Sequence, residues 1–90
     1  MAVKDQTLVK RALAGDGHAF GDLVARYTRL VRGVVWETVR RPDEVEDLVQ
    51  EAFCKAYEQL PNLRQQAKFA PWLWSIAANA ALSYQYRKQQ

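Results

Sequence analysis

The sequence predicts an all-α protein, built as a bundle of about four helices. Apolar residues recur three and four positions apart along almost the whole chain, which is the spacing of one helix face. Only four glycines and three prolines interrupt this pattern, and no alternation of β-branched residues persists long enough to predict a strand. Ninety residues with an apolar fraction of 49% and a charged fraction of 26% are typical of one small folded domain.

The first two helices are predicted over residues 4–14 and 17–40. Gly15 follows the last apolar residue of the first helix and is a common helix stop, after which Asp16 can cap the second helix. Pro42 ends the second helix. Each helix has one apolar face, and three arginines on the other side of the second helix are interpreted as a solvated face: Arg26, Arg29 and Arg32.

The third and fourth helices are predicted over residues 43–60 and 67–88. Asp43 and Glu46 have the spacing of a capping box, with Asp in place of Ser or Thr. Trp74 lies off the apolar stripe of the fourth helix and is interpreted as covering a neighbouring helix. The stripe that we expect to form the core face of the fourth helix is Phe69, Leu73, Ile76, Ala80 and Tyr84.

Several function classes are poorly supported by this composition. Cys54 and His18 are the single residues of their types, so the sequence offers neither an intramolecular disulfide nor a metal site, and we expect no cofactor. There is no glycine-rich phosphate loop and no nucleophile elbow, so we do not expect an enzyme. No apolar run has the length of a membrane span and the first residues are charged, which predicts a cytoplasmic protein without membrane insertion.

The net charge of +3 is divided into three blocks. Residues 1–41 carry eight basic and four acidic side chains, residues 42–58 carry one basic and six acidic, and residues 59–90 carry four basic and none acidic. An acidic surface repels phosphate while a basic surface attracts it. This separation therefore favours two different partners.

The third helix carries polar and acidic side chains together opposite its apolar stripe: Asp47, Gln50, Glu51, Cys54 and Glu58. Like charges four positions apart, as at Asp47 and Glu51, cost roughly 0.2–0.5 kcal/mol in an isolated helix. An acidic face on a rigid helix suits docking against arginines of a protein partner, because charge sets the orientation and rate of encounter. Ordinary solubility explains the same face equally well.

The fourth helix carries a second stripe, roughly 80° from its core face by helix geometry, which comprises Trp72, Ser75, Asn79, Ser83, Tyr86 and Gln90. Lys68, Arg87 and Lys88 lie near its two ends. Bases of single-stranded nucleic acid stack on aromatic rings while cations follow the phosphates, and an Asn side chain can read a base edge. The polar Ser and Asn residues argue against a membrane-surface helix. The stripe therefore favours single-stranded nucleic acid.

Three segments resemble region 2 of the bacterial sigma-70 family of sigma factors, and most closely its extracytoplasmic-function (ECF) group: "LVKRALAGDGHAFGDLVARYTRLV" (8–31), "EDLVQEAFCKAYEQL" (46–60) and "FAPWLWSIAANAALSY" (69–84). The resemblance implies a promoter-recognition domain of the RNA polymerase holoenzyme. In that family the third helix docks on the clamp helices of the β′ subunit, here through Asp47, Gln50 and Glu51 in "DLVQE". The last helix and the loop before it bind the non-template strand of the promoter −10 element, and they help open the duplex around a flipped base.

The resemblance also implies, by matching position, which residues meet DNA. The base pocket is expected to draw on Leu63, Arg64, Ala67, Phe69, Ile76 and Asn79. Asn79 is expected to read the base edge, and Trp72 to act as a wedge or platform beside the opening step. Phosphates are expected to be held by Arg64, Lys68, Arg87 and Lys88. The sequence departs from the family at Ser75, where Arg or Lys is common, and at Gln65-Gln66, where Gly-Asp is common.

Two more expectations rest on the resemblance alone. The linker and the second helical domain, which recognises the −35 element, are absent from these 90 residues, and an anti-sigma factor is a candidate partner. The alternative from a different class is a small helical protein-interaction module that keeps only the clamp-docking face and does not recognise DNA. The stripe from Trp72 to Tyr86 discriminates between the two, because a protein adaptor has no use for it.

Overall fold

The computed structural model describes residues 2–89, and within this range the chain forms four α-helices. They are α1 (Asp5–Leu13), α2 (Gly17–Thr38), α3 (Pro42–Gln59) and α4 (Phe69–Lys88). The predicted all-α class is confirmed, and every helix end lies within two residues of its predicted position. Two short 3₁₀ turns, Leu60–Asn62 and Gln66–Lys68, shape the loop between α3 and α4. Gln90, the last residue of the predicted second stripe of α4, lies outside the described residues.

The turn between α1 and α2 has the predicted capping residue. Helix α1 ends at Leu13, and Gly15 then adopts a φ of 103°, a left-handed conformation that glycine takes without steric cost. The Oδ1 atom of Asp16 accepts hydrogen bonds from the backbone N–H groups of His18 at 3.0 Å and Ala19 at 3.4 Å. Asp16 therefore caps α2, because it satisfies two of the N–H groups that a helix start leaves unpaired.

The predicted capping box at the start of α3 is wrong. Helix α3 begins at Pro42, and its N-cap residue Arg41 makes no side-chain cap hydrogen bond. The third helical position is then Glu44, so Glu46 lies too far along the helix to reach back to the cap. Glu46 instead accepts two hydrogen bonds from Arg32 of α2, from Nε to Oε1 at 2.8 Å and from Nη2 to Oε2 at 3.1 Å.

The three arginines interpreted as a solvated face are all exposed, and two of them also join helices. Arg32 connects α2 to α3, and its hydrogen bonds lower the pKa of Glu46. Arg26 connects α2 to α1, because its Nη1 atom lies 2.7 Å from Oδ1 of Asp5. These partners are distant in the sequence, so helical spacing within α2 could not reveal them.

Helix α4 packs against both α2 and α3. The rings of Tyr27 and Phe69 meet near one end of the bundle with centroids 5.8 Å apart, while Thr38 and Tyr84 line one cleft near the other. Helices α2 and α4 therefore run side by side in the same direction. Helix α1 packs across α2 and also touches the turn Gln66–Lys68 and the start of α4.

The core face of α4 differs in part from the predicted stripe. Ile76 and Tyr84 are only half-buried, whereas Ala77 and Ala81 are completely buried. Since α4 packs against two helices, its buried arc is wider than one stripe, and alanines allow both neighbours to approach closely. The remaining members of the predicted stripe are buried: Phe69, Leu73 and Ala80.

Candidate nucleic-acid interface

The stripe of α4 from Trp72 to Tyr86 lies on the outer surface of the bundle. Asn79 and Ser83 are exposed, and Tyr86 is 65% exposed. Trp72 is half-buried, with its ring centroid 5.8 Å from that of Phe69. Part of the indole is therefore packed on the core while part is open to a ligand. The predicted arrangement of aromatic and hydrogen-bonding side chains on one accessible surface is present.

The residues predicted to form the base pocket divide into exposed and buried ones. Arg64, Ala67 and Lys68 are exposed on the loop before α4. Leu63 is 8% exposed and Phe69 is 0% exposed, so both belong to the hydrophobic core beneath that loop. In this structure both side chains pack inward and hold the loop. Their expected contact with a base stays a prediction.

The loop and Asn79 lie at different positions along the helix. Ala67 borders a shallow cleft together with Asp5 and Tyr27, beside α1. Asn79 is ten residues into α4, which by helical rise is roughly 15 Å from the start of that helix. Half-buried Ile76 lies between them. Whether the loop residues and Asn79 meet the same base stays a prediction.

The cations expected to hold phosphates lie at the two ends of α4. Arg64 and Lys68 precede the first helical turn, whereas Arg87 and Lys88 occupy the last one, roughly 27 Å further on by helical rise. Lys88 is partly neutralised, because its Nζ atom is 3.6 Å from Oε1 of Glu44. The two ends are therefore not electrostatically equivalent.

The middle of the stripe is neutral. Ser75 is exposed, and its hydroxyl donates a hydrogen bond to the backbone carbonyl of Pro71 at 3.2 Å. No charged side chain occurs between Lys68 and Arg87. This stretch can offer rings and hydrogen-bonding groups to a ligand, while attraction to phosphate comes from its ends.

The predicted acidic face of α3 is also on the surface. Asp47, Gln50, Cys54 and Glu58 are exposed, and Glu51 is half-exposed with its Oε1 atom 3.6 Å from Nζ of Lys55. That single pair leaves the charges of Asp47 and Glu58 facing solvent. The geometry provides a rigid acidic surface, and its role in binding polymerase stays a prediction.

Sequence reasoning missed the contact that supports the loop. Asp5 of α1 accepts hydrogen bonds from Arg26 and from the hydroxyl of Tyr27, and the ring of Tyr27 packs on Phe69. Burial and the hydrogen bond to Asp5 raise the pKa of Tyr27 to about 12. The only signal in the sequence was an acidic residue in the first turn of α1, which is also typical of an ordinary helix start.

An exposed apolar groove between α2 and α4 was not predicted either. Trp74 is 49% exposed and lies over α2, in a groove that it shares with Leu30, Val34 and Leu82. The interpretation of Trp74 as a cover for a neighbouring helix therefore describes only part of its surface. Leu30, Trp74 and Leu82 lie off the core stripes of their helices. Periodicity therefore gave no reason to bring them together with Val34, which packs against the core.

Two other kinds of site have no structural support in residues 2–89. Within that range, no three His, Cys, Asp or Glu side chains are close enough together to hold a metal ion. None of the helices described has both the length and the apolar character needed to cross a bilayer.

A family model described as Sigma-70 region 2 matches residues 23–90. The chain belongs to the sigma-70 family. The matched segment starts within α2 and includes α3, the loop and α4, so the acidic face and the aromatic–polar stripe both lie inside the region 2 match.

Similar proteins identify the group within the family. The chain is 46% identical over 80 residues to the ECF RNA polymerase sigma-E factor of Escherichia coli (strain K12), covering 89% of this chain and 41% of that protein. It is 44% identical over 80 residues to the ECF sigma-E factor of Haemophilus influenzae, covering 89% and 42%. The RNA polymerase sigma-H factor of Pseudomonas aeruginosa is 41% identical over 81 residues, covering 90% and 42%. The predicted ECF resemblance is confirmed, and the chain spans about two fifths of the length of these curated relatives.

A solved structure matches nearly the whole domain. It is an NMR structure of an engineered region 2 of sigmaE in complex with GTAAAA, with a TM-score of 0.90 and 42% sequence identity. The match covers 99% of this chain and 95% of that one. The bundle described above is therefore the sigma region 2 fold.

Proposed function

We propose that this chain is the promoter −10 recognition module of an ECF sigma factor, which binds single-stranded non-template DNA through α4 and docks on RNA polymerase through α3. One observation carries the proposal: the exposed stripe from Trp72 to Tyr86 lies on a fold that matches a DNA-bound sigmaE region 2 with a TM-score of 0.90. Acting with polymerase, the module works in the cytoplasm.

Base recognition is divided between two positions on this surface. Asn79 is exposed in the middle of α4 and can make two hydrogen bonds to a base edge. The exposed loop residues Arg64 and Ala67 receive a second base near the start of the helix. Asn79 lies roughly 15 Å along α4 from the first residue of that helix, and on this basis each of the two positions reads a different nucleotide. Flipping a base costs a few kcal/mol of stacking, which packing against Trp72 offsets.

Attraction to the single strand comes mainly from the loop. Among the described residues, Arg64, Lys68 and Arg87 make no ion pair, whereas Lys88 is held by Glu44. Three available cations, two of them beside the loop, attract DNA only weakly at physiological salt, because each phosphate contact releases only about one counterion. The isolated module is therefore expected to bind DNA weakly, and free duplex least of all.

Docking on polymerase uses the outward charges of α3. Asp47 and Glu58 are exposed and make no ion pair in the described residues, so they are available to arginines of the β′ clamp helices. Charge of this kind sets the orientation and the rate of association. A regulatory partner of the anti-sigma type can block the module by covering this face or the α4 stripe.

A titration of labelled single-stranded oligonucleotides with varied −10-like sequence tests the proposal. The parent domain is compared with Asn79→Ala and with Gln59→Ala, which removes an exposed amide on α3 away from the stripe. We expect a sequence-dependent affinity that flattens in Asn79→Ala and is unchanged in Gln59→Ala. If all oligonucleotides bind equally to all three proteins while polymerase is still bound, the chain is a docking module without DNA recognition.

A further inference from the structure

The exposed apolar groove between α2 and α4 has no part in the proposed function. Three large apolar side chains border it, Leu30, Trp74 and Leu82, with exposed fractions of 41%, 49% and 58%. Its lining residues are distinct from those of the acidic face of α3 and of the aromatic–polar stripe of α4. Clustered apolar surface on a folded domain commonly marks a place where another surface packs. We call this feature the α2–α4 groove.

On the α2 side of the groove, a small residue lies midway between two opposite charges. Gly33 is four residues from Arg29 and four from Glu37, and all three line the groove. Residues four apart form one ridge on a helix surface, and packing of such ridges is the commonest way in which two helices meet. Arg29 and Glu37 are exposed and make no ion pair within residues 2–89. Both charges are therefore available to a partner, one on each side of Gly33.

Gly33 allows another helix to approach this ridge closely. A Cβ atom at this position would meet no atom within 4 Å, so packing inside the domain does not require a glycine. Glycine also destabilises a helix interior relative to alanine. What the missing side chain provides is room for another backbone to approach from outside the domain.

The α4 side of the groove repeats this arrangement with apolar side chains. Ala78 is four residues from Trp74 and four from Leu82, and all three line the groove. Helices α2 and α4 run side by side in the same direction. Each side of the groove therefore has a small residue in its middle and a larger side chain one turn before and one turn after it.

We propose that the α2–α4 groove binds the same groove of a second copy of this chain, in a dimer with two-fold symmetry. A two-fold axis between the small residues turns each helix end for end, so α2 meets α2 of the second copy in the antiparallel direction. Arg29 then lies opposite Glu37 of the second copy, and Glu37 opposite its Arg29. On α4, Trp74 lies opposite Leu82 of the second copy, and Leu82 opposite its Trp74.

This symmetry favours a second copy over a different protein. A surface that binds itself across a two-fold axis must be self-complementary, and each half of the groove carries the group that the other half needs. The lining contains one cation, Arg29, and one anion, Glu37, so two copies meet there without net repulsion although each chain carries +3. A helix of a different protein is the competing occupant, and a neutral lining does not favour it by charge.

The dimer is expected to be weak. Nine residues line the groove, whereas a standard protein–protein interface uses about 20–30 residues on each side. We therefore expect a dissociation constant of roughly 10⁻⁵ to 10⁻³ M. The inference does not depend on the proposed function, and association is measured in the absence of DNA and polymerase.

An exchange of charge between two variants tests the inference. In a homodimer, Arg29→Glu places like charges opposite one another in both symmetric contacts, and Glu37→Arg does the same with the opposite sign. A mixture of the two variants restores opposite charges in both contacts. Each chain carries one cysteine, the exposed Cys54 on α3, to which a donor or an acceptor dye is attached. Association is followed by energy transfer and by sedimentation equilibrium at low salt, and circular dichroism checks the fold of each variant.

We expect the parent to dimerise and each single variant to dimerise at least about tenfold more weakly, because symmetry changes both exposed pairs at once. The equimolar mixture of Arg29→Glu and Glu37→Arg should associate about as tightly as the parent. The doubly exchanged chain Arg29→Glu/Glu37→Arg should do so as well. A mixture that associates no more tightly than the single variants overturns the inference.

Two matched lysine variants locate the contact on α2. Gly33→Lys and Gly21→Lys each add one cation at an exposed position where a Cβ atom meets no atom within 4 Å. Only Gly33 lines the groove, so Gly33→Lys should abolish the dimer while Gly21→Lys retains it. Equal weakening by the two variants overturns the inference, because the dimer then uses another surface. A parent that stays monomeric at millimolar concentration also overturns it, and leaves the groove to a helix of a different protein.

Discussion

Substituting Phe69 separates a supporting role in the fold from a direct role in binding. Its side chain is 0% exposed, and its ring packs between those of Tyr27 and Trp72, with both centroid distances 5.8 Å. Phe69→Ala removes most of a buried ring at the point where α1, α2 and α4 meet. Large-to-small substitutions of this kind cost about 3–5 kcal/mol, because the cavity collapses only partly.

That loss is a large fraction of the 5–15 kcal/mol by which a typical domain is stable. For a domain of this length, about 4–8 °C of melting temperature is lost per kcal/mol, so the expected fall is at least roughly 12 °C. The assay is thermal unfolding followed by circular dichroism, with Asn79→Ala as the control. Asn79 is exposed, and its replacement should change stability by no more than about 0.5 kcal/mol.

The two variants should therefore affect different properties, one the stability of the domain and the other its sequence preference. Phe69→Ala should melt early, and at a temperature where it is folded it should bind the preferred oligonucleotide with some loss through a disordered loop. Asn79→Ala should melt like the parent and lose sequence preference. A Phe69→Ala domain that melts with the parent yet has lost its sequence preference would refute the reasoning, since it would make Phe69 a contact residue.

Other predictions concern the cap, the α1 contact and the acidic face. Asp16→Ala should lower the free energy of unfolding by about 1 kcal/mol in urea titrations, because two backbone N–H groups lose their acceptor; a change below about 0.3 kcal/mol would contradict the cap. The raised pKa of Tyr27, about 12, stabilises the domain fully below pH 10, and this contribution is lost as pH rises towards 12. Discounted for partial exposure, the loss is about 1–2 kcal/mol, and Tyr27→Phe should unfold with a flatter alkaline profile. Asp47→Arg should reduce the capture of core polymerase while leaving helicity unchanged. Asp22→Arg on α2 should not reduce capture. Equal capture by the two variants would exclude the α3 face as the docking surface.

Periodicity was sufficient for the number and order of the helices, because most side chains of α1, α2 and α3 follow a clear 3.6-residue pattern. It was weaker for α4, where Ala77 and Ala81 differ little from exposed alanines in hydropathy. Which alanines are buried is decided by the positions of α2 and α3, and this information is tertiary. The start of α3 was misplaced for a local reason, since Pro42 sets the first helical position and moves the cap to Arg41.

The sequence predicted which helix faces form the candidate site, but it did not predict which residues within the site contact one another. The spacing of Trp72, Asn79 and Tyr86 was enough to put them together on an accessible surface. It could not show that Leu63 and Phe69 lie beneath the loop, because burial depends on how the loop folds back onto α1. Ion pairs between helices could not be predicted either, because they also depend on how the helices pack together.

The brace formed by Asp5, Tyr27 and Phe69 has a consequence for how a ligand meets the loop. Helix α1 touches the turn Gln66–Lys68, and the brace links it to the first residue of α4. The loop between α3 and α4 loses conformational entropy when the domain folds, so it loses less entropy when a DNA strand binds. The loop is thus preorganised from a distance, by a helix that contains none of the residues expected to contact DNA.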